Sequence, residues 1–425
     1  MSRTRTALLL KKLSVKTGAT GALVLLALLA LSPQALAQAA PQPLYEAPTR
    51  ITIKSEVLGE ERVILVRTPA GYARNDHRYP VLYMTDGDAH IEHTSGTLSF
   101  LARNNRMPEM IVVGITNTDR TRDLSPTKIE QRPGGNPNAR VQVTGGADKF
   151  LKFIETELIP HVEKQYRTQP FRALAGHSLG GLFAIHAMTA RPELFNSYIS
   201  VSPALQWDNF VMIDHAKEFF KNRKDYNRTL FVSLGNEPGD IGDAFGLFKD
   251  VLAKQQTKGF VWEAVKYDDE DHGSVVLRSH YAGLRKTYDG WQFPRDPNTG
   301  AIRGGFKEVE AHFRTLSERM GFTLHAPEPL MNQVGYTMMG QNNLEDALAA
   351  FKANVERYPN SANVYDSLAE YYERQGQLEL ARPNYEKAVT LGKQNNDPLL
   401  PTFQINFDRV TGLLSKSAAP ASDKK

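Results

Sequence analysis

The chain has no cysteine in 425 residues. That excludes thiolate nucleophiles, cysteine-held metals and disulfide staples, so stability has to come from a buried core. It also lacks an apolar run long enough to span a bilayer. The longest, from about Gly21 to Leu31, holds about a dozen residues, against the roughly 20 that a spanning helix needs. Five basic residues precede it (Arg3, Arg5, Lys11, Lys12 and Lys16), and Pro33 and the small-residue pattern Ala35-Leu36-Ala37 follow. These three parts read as a secretory signal peptide over residues 1–37, cleaved near Ala37. No cysteine follows the apolar core, which excludes a lipoprotein-type anchor. The leader also accounts for the excess of positive charge. It holds five of the 51 basic residues and none of the 47 acidic ones, leaving 46 against 47. With no basic stripe elsewhere, nothing points to nucleic acid. The expectation is an exported protein, periplasmic or secreted, with no membrane span in its mature chain.

What is present divides into two parts. Residues 45–295 read as alternating strands and helices. "ITIKSEVLGEERVILVRTP" forms two alternating strands around Gly59, an opening hairpin. "PVLYMTDG" and "MIVVGIT" are continuous apolar runs, as in strands buried on both faces of a parallel sheet. "KFLKFIETELIPHVEKQY" places Phe150, Phe153, Ile154 and Leu158 on one helical face, and "YISVSP", "TLFVSLG" and "FVWEAV" supply further strands. This predicts an α/β fold with a mostly parallel central sheet. A polar, glycine-rich linker follows over 296–305, then a helical region over 306–414 and a disordered tail over 415–425. The helical region carries a repeat: Gly335, Ala347 and Phe351 recur as Ala369, Ala381 and Tyr385, each 34 residues later. Small residues let two helices approach and the aromatic plugs the contact. The period is that of the tetratricopeptide repeat, although two copies fall short of the three that solenoids need.

The stretch "RALAGHSLGGLFAIHAM" places Ser178 between Gly176 and Gly180, with a strand before and a helix after. In this G-x-S-x-G turn the serine backbone is strained, and side chains two positions away on either side would collide with the neighbouring elements. The helix N-terminus presents the Leu179 N–H to a developing oxyanion. A serine hydroxyl needs a base, and the expected chain order is serine, acid, histidine. His272 lies in a loop beside Gly273 after the last strand, whereas His280 falls within a helical run and reads as structural. The run Asp268, Asp269, Glu270, Asp271 reads as a solvated face. The acid should follow the preceding strand, in "TLFVSLGNEPGD". Glu237 is the first candidate and Asp240 the second, and a Ser–His dyad stays open. A second oxyanion donor is expected after "PVLYMTDGDAH", where Gly87 permits close approach and the Asp88 N–H would donate. His90 and His93 have helical metal-pair spacing but no zinc-protease glutamate, so a structural or pocket-lining role is expected. The chemistry requires neither metal nor cofactor.

With these residues in place, the chain closely resembles the esterase branch of the α/β-hydrolases. That group includes siderophore (enterobactin-type) esterases, feruloyl esterases and S-formylglutathione hydrolase. The resemblance covers roughly residues 50 to 292 and rests on "YPVLYMTDGDAHIEH", "NTDRTRDLSPT", "GHSLGGLFAIHA", "SPALQWDN" and "DHGSVVLRSHYAGLR". It implies an α/β-hydrolase with Ser178 as the nucleophile and His272 as the base. Some siderophore esterases in the group look like dyads, which leaves Glu237 open. "NTDRTRDLSPT" is similar to the group's arginine-bearing loop. Arg120 and Arg122 would bind an anionic or catecholate oxygen, with Asp123 orienting one of them, or would form a structural Arg–Asp anchor. Trp207 would stack on substrate or serve as a packed lid residue. The compact siderophore esterases lack the helical repeats. The reading is an exported serine carboxylic-ester hydrolase acting through an acyl-enzyme, on siderophore-type lactones or aryl and acyl esters. The alternatives are a protein-binding scaffold working through the repeats and an acyltransferase.

Overall fold

A computed structural model of the chain describes residues 47–129 and 143–418. The expected signal peptide lies outside the described residues. The opening hairpin forms from β1 (Thr49–Ser55) and β2 (Glu60–Arg67), and Gly59 closes it with a φ of 75°. That left-handed conformation is one glycine adopts without penalty. The sheet continues through β3 (Tyr79–Met84), β4 (Ile111–Ile115), β5 (Thr168–His177), β6 (Ser197–Val201), β7 (Thr229–Leu234) and β8 (Val261–Lys266). Its order is β1-β2-β4-β3-β5-β6-β7-β8, with β2 antiparallel to both neighbours and every pairing from β4 to β8 parallel. The continuous apolar runs become β3 and β4, which are buried throughout, as strands covered on both faces must be.

Helices cover both faces. On one side lie α1 (Gly87–Arg103) and, at the far end of the domain, α8 (Val275–Thr287), packed over Leu82, Val112, Ile199 and Phe231. The other face holds α3 (Ala147–Phe153), α4 (Ile159–Gln165), α5 (Leu179–Ala190), α6 (Val211–Lys221) and α7 (Asp240–Lys254). The short α2 (Arg120–Leu124) follows β4. The single helix expected around "KFLKFIETELIPHV" is interrupted by a π turn over Ile154–Leu158. Pro160 lacks an N–H and cannot complete the regular ladder, so the preceding turn widens. Phe150, Phe153, Ile154 and Leu158 are nevertheless all buried.

Beyond residue 295 the chain is helical: α9 (Phe306–Met320), α10 (Glu328–Gly340), α11 (Leu344–Arg357), α12 (Ala362–Arg374), α13 (Leu378–Asn395) and α14 (Leu400–Ala418). The helix pairs α10–α11 and α12–α13 start 34 residues apart, and Ala347, Phe351, Ala369, Ala381 and Tyr385 are fully buried between them. Residues 296–305 join the two parts in an ordered turn: the Asp296 carboxylate accepts from Asn298 and Thr299, and Ile302 bridges to Arg295 and is buried. One sequence expectation needs correction here. The helical region runs to Ala418 instead of ending at 414, so only residues from 419 onward remain of the expected tail, outside the described residues. Met320 at the end of α9 is buried against the sheet domain beside Phe171 and Tyr288. It lines a crevice with Asn196, Thr229 and Val261, all at the amino ends of the strands. The helical region therefore packs on the sheet edge opposite the strand carboxyl ends.

Candidate active site

The carboxyl edge of the sheet gathers the loops that follow β3, β5, β6, β7 and β8, the usual place for a site in such a fold. Ser178 stands where β5 turns into α5, with φ 60° and ψ −117°. A non-glycine residue held there costs about 1–3 kcal/mol, which the surroundings must supply. They do so through backbone bonds: Ser178 N–H donates to Val201 O at 2.9 Å, and Ser178 O accepts from Ala204 at 3.1 Å. The flanking glycines are required by space. A methyl at Gly176 would sit 2.1 Å from Gly180 O, and one at Gly180 would sit 2.2 Å from Thr85 Oγ1.

His272 and Glu237 are brought together from loops 35 residues apart. The His272 Nδ1–H donates to Glu237 Oε2 at 2.5 Å, leaving Nε2 free to take a proton. Glu237 is 10% exposed and also accepts from Gly235 N–H through Oε1, while His272 is 44% exposed at the rim. Asp240, the other candidate acid, is exposed at the start of α7. Backbone contact fixes the two loops against each other: Asn236 N–H donates to Glu270 O at 2.6 Å, and Gly235 packs on the Asp271 backbone too closely for any side chain. Within the expected solvated run, Asp271 Oδ1 accepts from the Gly273 and Ser274 N–H groups and so shapes the turn that carries His272.

The two expected oxyanion donors both lie at helix starts. Leu179 is the first residue of α5 and Asp88 the second of α1, where N–H groups have no acceptor inside the helix. Gly87 lies so close to β4 that a methyl would come 2.4 Å from Gly114 C. Before it, Asp86 takes a φ of 54°, and its carboxylate accepts from Arg120 Nε at 2.6 Å, Arg120 Nη2 at 3.1 Å and Asn117 Nδ2 at 2.7 Å. Burial alone would raise the Asp86 pKa, but the Arg120 and Asn117 bonds outweigh it and hold the group below the usual carboxylate range.

Both arginines give donors to protein acceptors, Arg122 from all three nitrogens and Arg120 from Nε and Nη2. Arg122 sends its Nη1 and Nη2 groups to Glu60 and its Nε to Asp123, while Arg62 joins the same carboxylates. This network lies against β2, with the arginine donors turned to protein carboxylates instead of the serine turn. Arg120 is 33% exposed, and it commits Nε and Nη2 to Asp86 and also donates to His177 O at 3.0 Å. Each arginine thus meets an aspartate, Arg122 the Asp123 of its own loop and Arg120 the Asp86 after β3. Trp207 lies in the loop after β6 and donates from Nε1 to Thr127 Oγ1 at 3.1 Å. It packs half-buried on the core.

Sequence reasoning passed over His177. Its Nε2–H donates to His272 O at 2.8 Å, and the two rings lie 4.5 Å apart. Burial, with His272 and His90 nearby, pushes the His177 pKa down to about 4. Its position inside the G-x-S-x-G turn was the available signal. Behind it stand His90, His93 and His280, with ring centroids 5.2 to 6.0 Å apart. His280 is buried and its Nδ1 shares a hydrogen bond with Thr94 Oγ1. Among the described residues no group of three or more histidine, cysteine or acidic side chains could hold a metal ion.

The sequence profile of the family described as "Putative esterase" matches residues 55–296, more than half of the chain. The chain belongs to that family. As a family member it is a hydrolase of ester bonds. This esterase is 34% identical over 238 residues to the siderophore enterobactin esterase of Emericella nidulans, covering 46% of this chain and 77% of that one. It is 27% identical over 223 residues to the ferri-bacillibactin esterase BesA of Bacillus subtilis, covering 47% and 75%. Among solved structures, an IroE-like serine hydrolase from Shewanella oneidensis matches with a TM-score of 0.63 at 30% identity, over 73% of this chain and 99% of that one. A protein from Capnocytophaga ochracea matches at 0.64 and 16% identity, over 86% and 99%; this likeness speaks for the fold alone. The α/β-hydrolase fold and the siderophore-esterase-like branch of the family are thereby shown.

Proposed function

We propose that this esterase is an exported serine hydrolase that cleaves carboxylic esters through an acyl-enzyme. Ser178 Oγ attacks the ester carbonyl while His272 Nε2 takes the hydroxyl proton. The tetrahedral oxyanion rests on the Leu179 and Asp88 N–H groups. Its collapse expels the alkoxide, which leaves with the proton returned by His272. Water, deprotonated by the same imidazole, then releases the acid and frees Ser178. Glu237 holds the Nδ1–H tautomer and offsets the imidazolium charge. Each oxyanion donor is expected to supply on the order of 10² to 10³ in rate. The observation that carries the reading is the 2.5 Å His272–Glu237 bond, tied at 2.8 Å through the His272 carbonyl to His177, the residue before a serine in a strained strand-to-helix turn. Siderophore-type lactones and aryl or acyl esters are the proposed substrates, because the relatives named above are esterases of siderophores.

The test is hydrolysis of short p-nitrophenyl esters by the mature chain beside Ser178→Ala, with a fluorophosphonate probe for Ser178. Loss of both activity and labelling in the variant, with an intact circular dichroism spectrum, supports the mechanism. Equal rates in both proteins would sink it. Product analysis with added alcohols separates hydrolysis from acyl transfer. Export is supported by the leader's basic, apolar and Ala-x-Ala parts; the mature N-terminus should be Gln38 by mass spectrometry. Among the described residues no helix is long and apolar enough to cross a membrane. The 34-residue offset between helix pairs supports a second, tetratricopeptide-like role in holding a peptide or protein partner. Its test is capture of a partner by the full chain and loss of that capture on α10–α13 substitution.

A further inference from the structure

The two turns that would build the oxyanion site belong to different strands. Asp88 follows β3 and Leu179 follows β5, and no covalent link shorter than 90 residues joins them. An oxyanion hole works only if both donors point at one position, and an error of 1 Å costs heavily in rate. The β3–β5 ladder registers the chain as far as Met84 and Ala175, with Thr85 N–H on Ala175 O at 3.1 Å, and the turns beyond it need a hold of their own.

Arg120 is placed to do so. Its guanidinium grips the first turn through the Asp86 side chain, with Nε at 2.6 Å and Nη2 at 3.1 Å. The same Nη2 reaches the second turn, donating to His177 O at 3.0 Å, one residue before Ser178. The two turns touch directly as well, since a methyl at Gly180 would meet Thr85 Oγ1 at 2.2 Å and Asp86 Oδ2 at 3.2 Å. Asp86 itself sits in a left-handed conformation that its side-chain bonds help to hold. The chain of bonds continues past the serine. The His177 ring donates to His272 O, and His272 donates to Glu237. One polar path thus links the loops after β3, β5, β7 and β8, and Arg120 joins its first two members. A lysine could form one of these contacts but not the fork, because its ammonium is a point donor.

We propose that Arg120 is a positioning residue that registers the Asp88 and Leu179 arms of the oxyanion site, acting through Asp86 and the His177 carbonyl. This rests on the serine-esterase reading above. It differs from a substrate anchor, whose loss weakens binding of one class of ester. It also differs from a plain structural pair, whose loss lowers stability without touching the transition state.

The experiment compares the full chain with Arg120→Lys and Arg120→Ala. The substrates are p-nitrophenyl butyrate, which is neutral, and mono-p-nitrophenyl succinate, whose acyl group is anionic. Butylboronic acid serves as a tetrahedral-adduct probe. The expected result is a kcat lowered about 10- to 100-fold on both esters, with KM unchanged within about 3-fold. Boronate affinity should fall in parallel with kcat/KM. Millimolar guanidinium should restore part of the kcat of Arg120→Ala. Should Arg120 variants fail to fold, Asn117→Ala removes the neighbouring grip on Asp86, and its smaller kcat loss should show the same split. A KM rise confined to the succinate ester, with kcat kept, would overturn the proposal in favour of substrate binding through the remaining Nη1 edge. A lowered melting temperature with unchanged kcat and KM would overturn it in favour of a structural pair. Retained activity in Ser178→Ala would instead fail the esterase reading, and the inference with it, so the two failures are distinguishable.

Discussion

Glu237 and Asp240 stand three residues apart after the same strand, yet only Glu237 meets His272. The difference is one of geometry: Glu237 is folded inward over Gly235, while Asp240 begins a helix and faces solvent. Glu237→Gln should therefore lower kcat by about 10²- to 10⁴-fold by favouring the wrong tautomer, and Asp240→Asn should change it less than about 2-fold. Steady-state kinetics on a p-nitrophenyl ester reads both, and equal losses in the two variants would revive the other acid. Ser178, Glu237 and His272 could be put forward from sequence because each stands in the segment after a strand, one, three and six residues past the ends of β5, β7 and β8, in the order such a site requires. Arg120 and Arg122 obey no such order. Their roles depend on Asp86, 34 residues back, and Glu60, 62 residues back, partners that only the assembled sheet brings near. His177 was hidden differently, as the unnamed middle letter of a motif.

The carboxyl edge also shows how α1, β5 and α8 share a histidine cluster whose pairing was illegible in the sequence. His90 and His93 were readable as one helical face, but the third ring, His280, arrives from a helix almost 190 residues on. Burial lowers the pKa of His90, His93, His177 and His280, that of His177 to about 4. Each is ordinarily protonated below about 6.5 when the chain unfolds, and stays neutral lower than that in the fold. The unfolded state then binds more protons, so stability falls as pH drops below about 6.5, and His177 alone contributes up to about 1.4 kcal/mol per pH unit down to about 4. Melting temperatures across that range should show the decline, and His177→Asn should flatten it; a flat wild-type profile would contradict the burial argument. In the helical region the repeat was legible because small residues mark helix contacts. A methyl at Gly335 would lie 2.6 Å from the Phe351 ring. Gly335→Ala should cost about 1–3 kcal/mol by overpacking, and Phe351→Leu in the same chain should recover part of it. Denaturant unfolding of the single and double variants measures that coupling.

Taken together, the sheet and the helical region meet at the end of the molecule away from the chemistry. Helix α1 carries the distance: it starts just after Thr85 and Asp86, which meet the Ser178 turn at Gly180, and its 17 residues end near Arg106, which donates to Gln292 at the entrance to the helical region. At 1.5 Å per residue that is about 25 Å. The sequence showed two parts and a polar stretch between them, but not that the stretch is folded or that α9 is docked. Docking depends on Met320, 1% exposed, meeting Phe171 and Tyr288, which periodicity alone cannot announce. The docked end of α9 thus lies at the strand amino ends, opposite the serine, and can influence the site through the stability of the sheet. Met320→Ala should destabilise the chain by about 2–5 kcal/mol through the cavity it leaves. It should also leave kcat/KM on a small ester within about 2-fold at a temperature where the chain stays folded. Calorimetry and kinetics on the same preparation measure both. A fall in kcat without loss of folded protein would mean that the docked helices set the geometry of the carboxyl edge through α1, and the separation of ester chemistry from the repeats would then have to be given up.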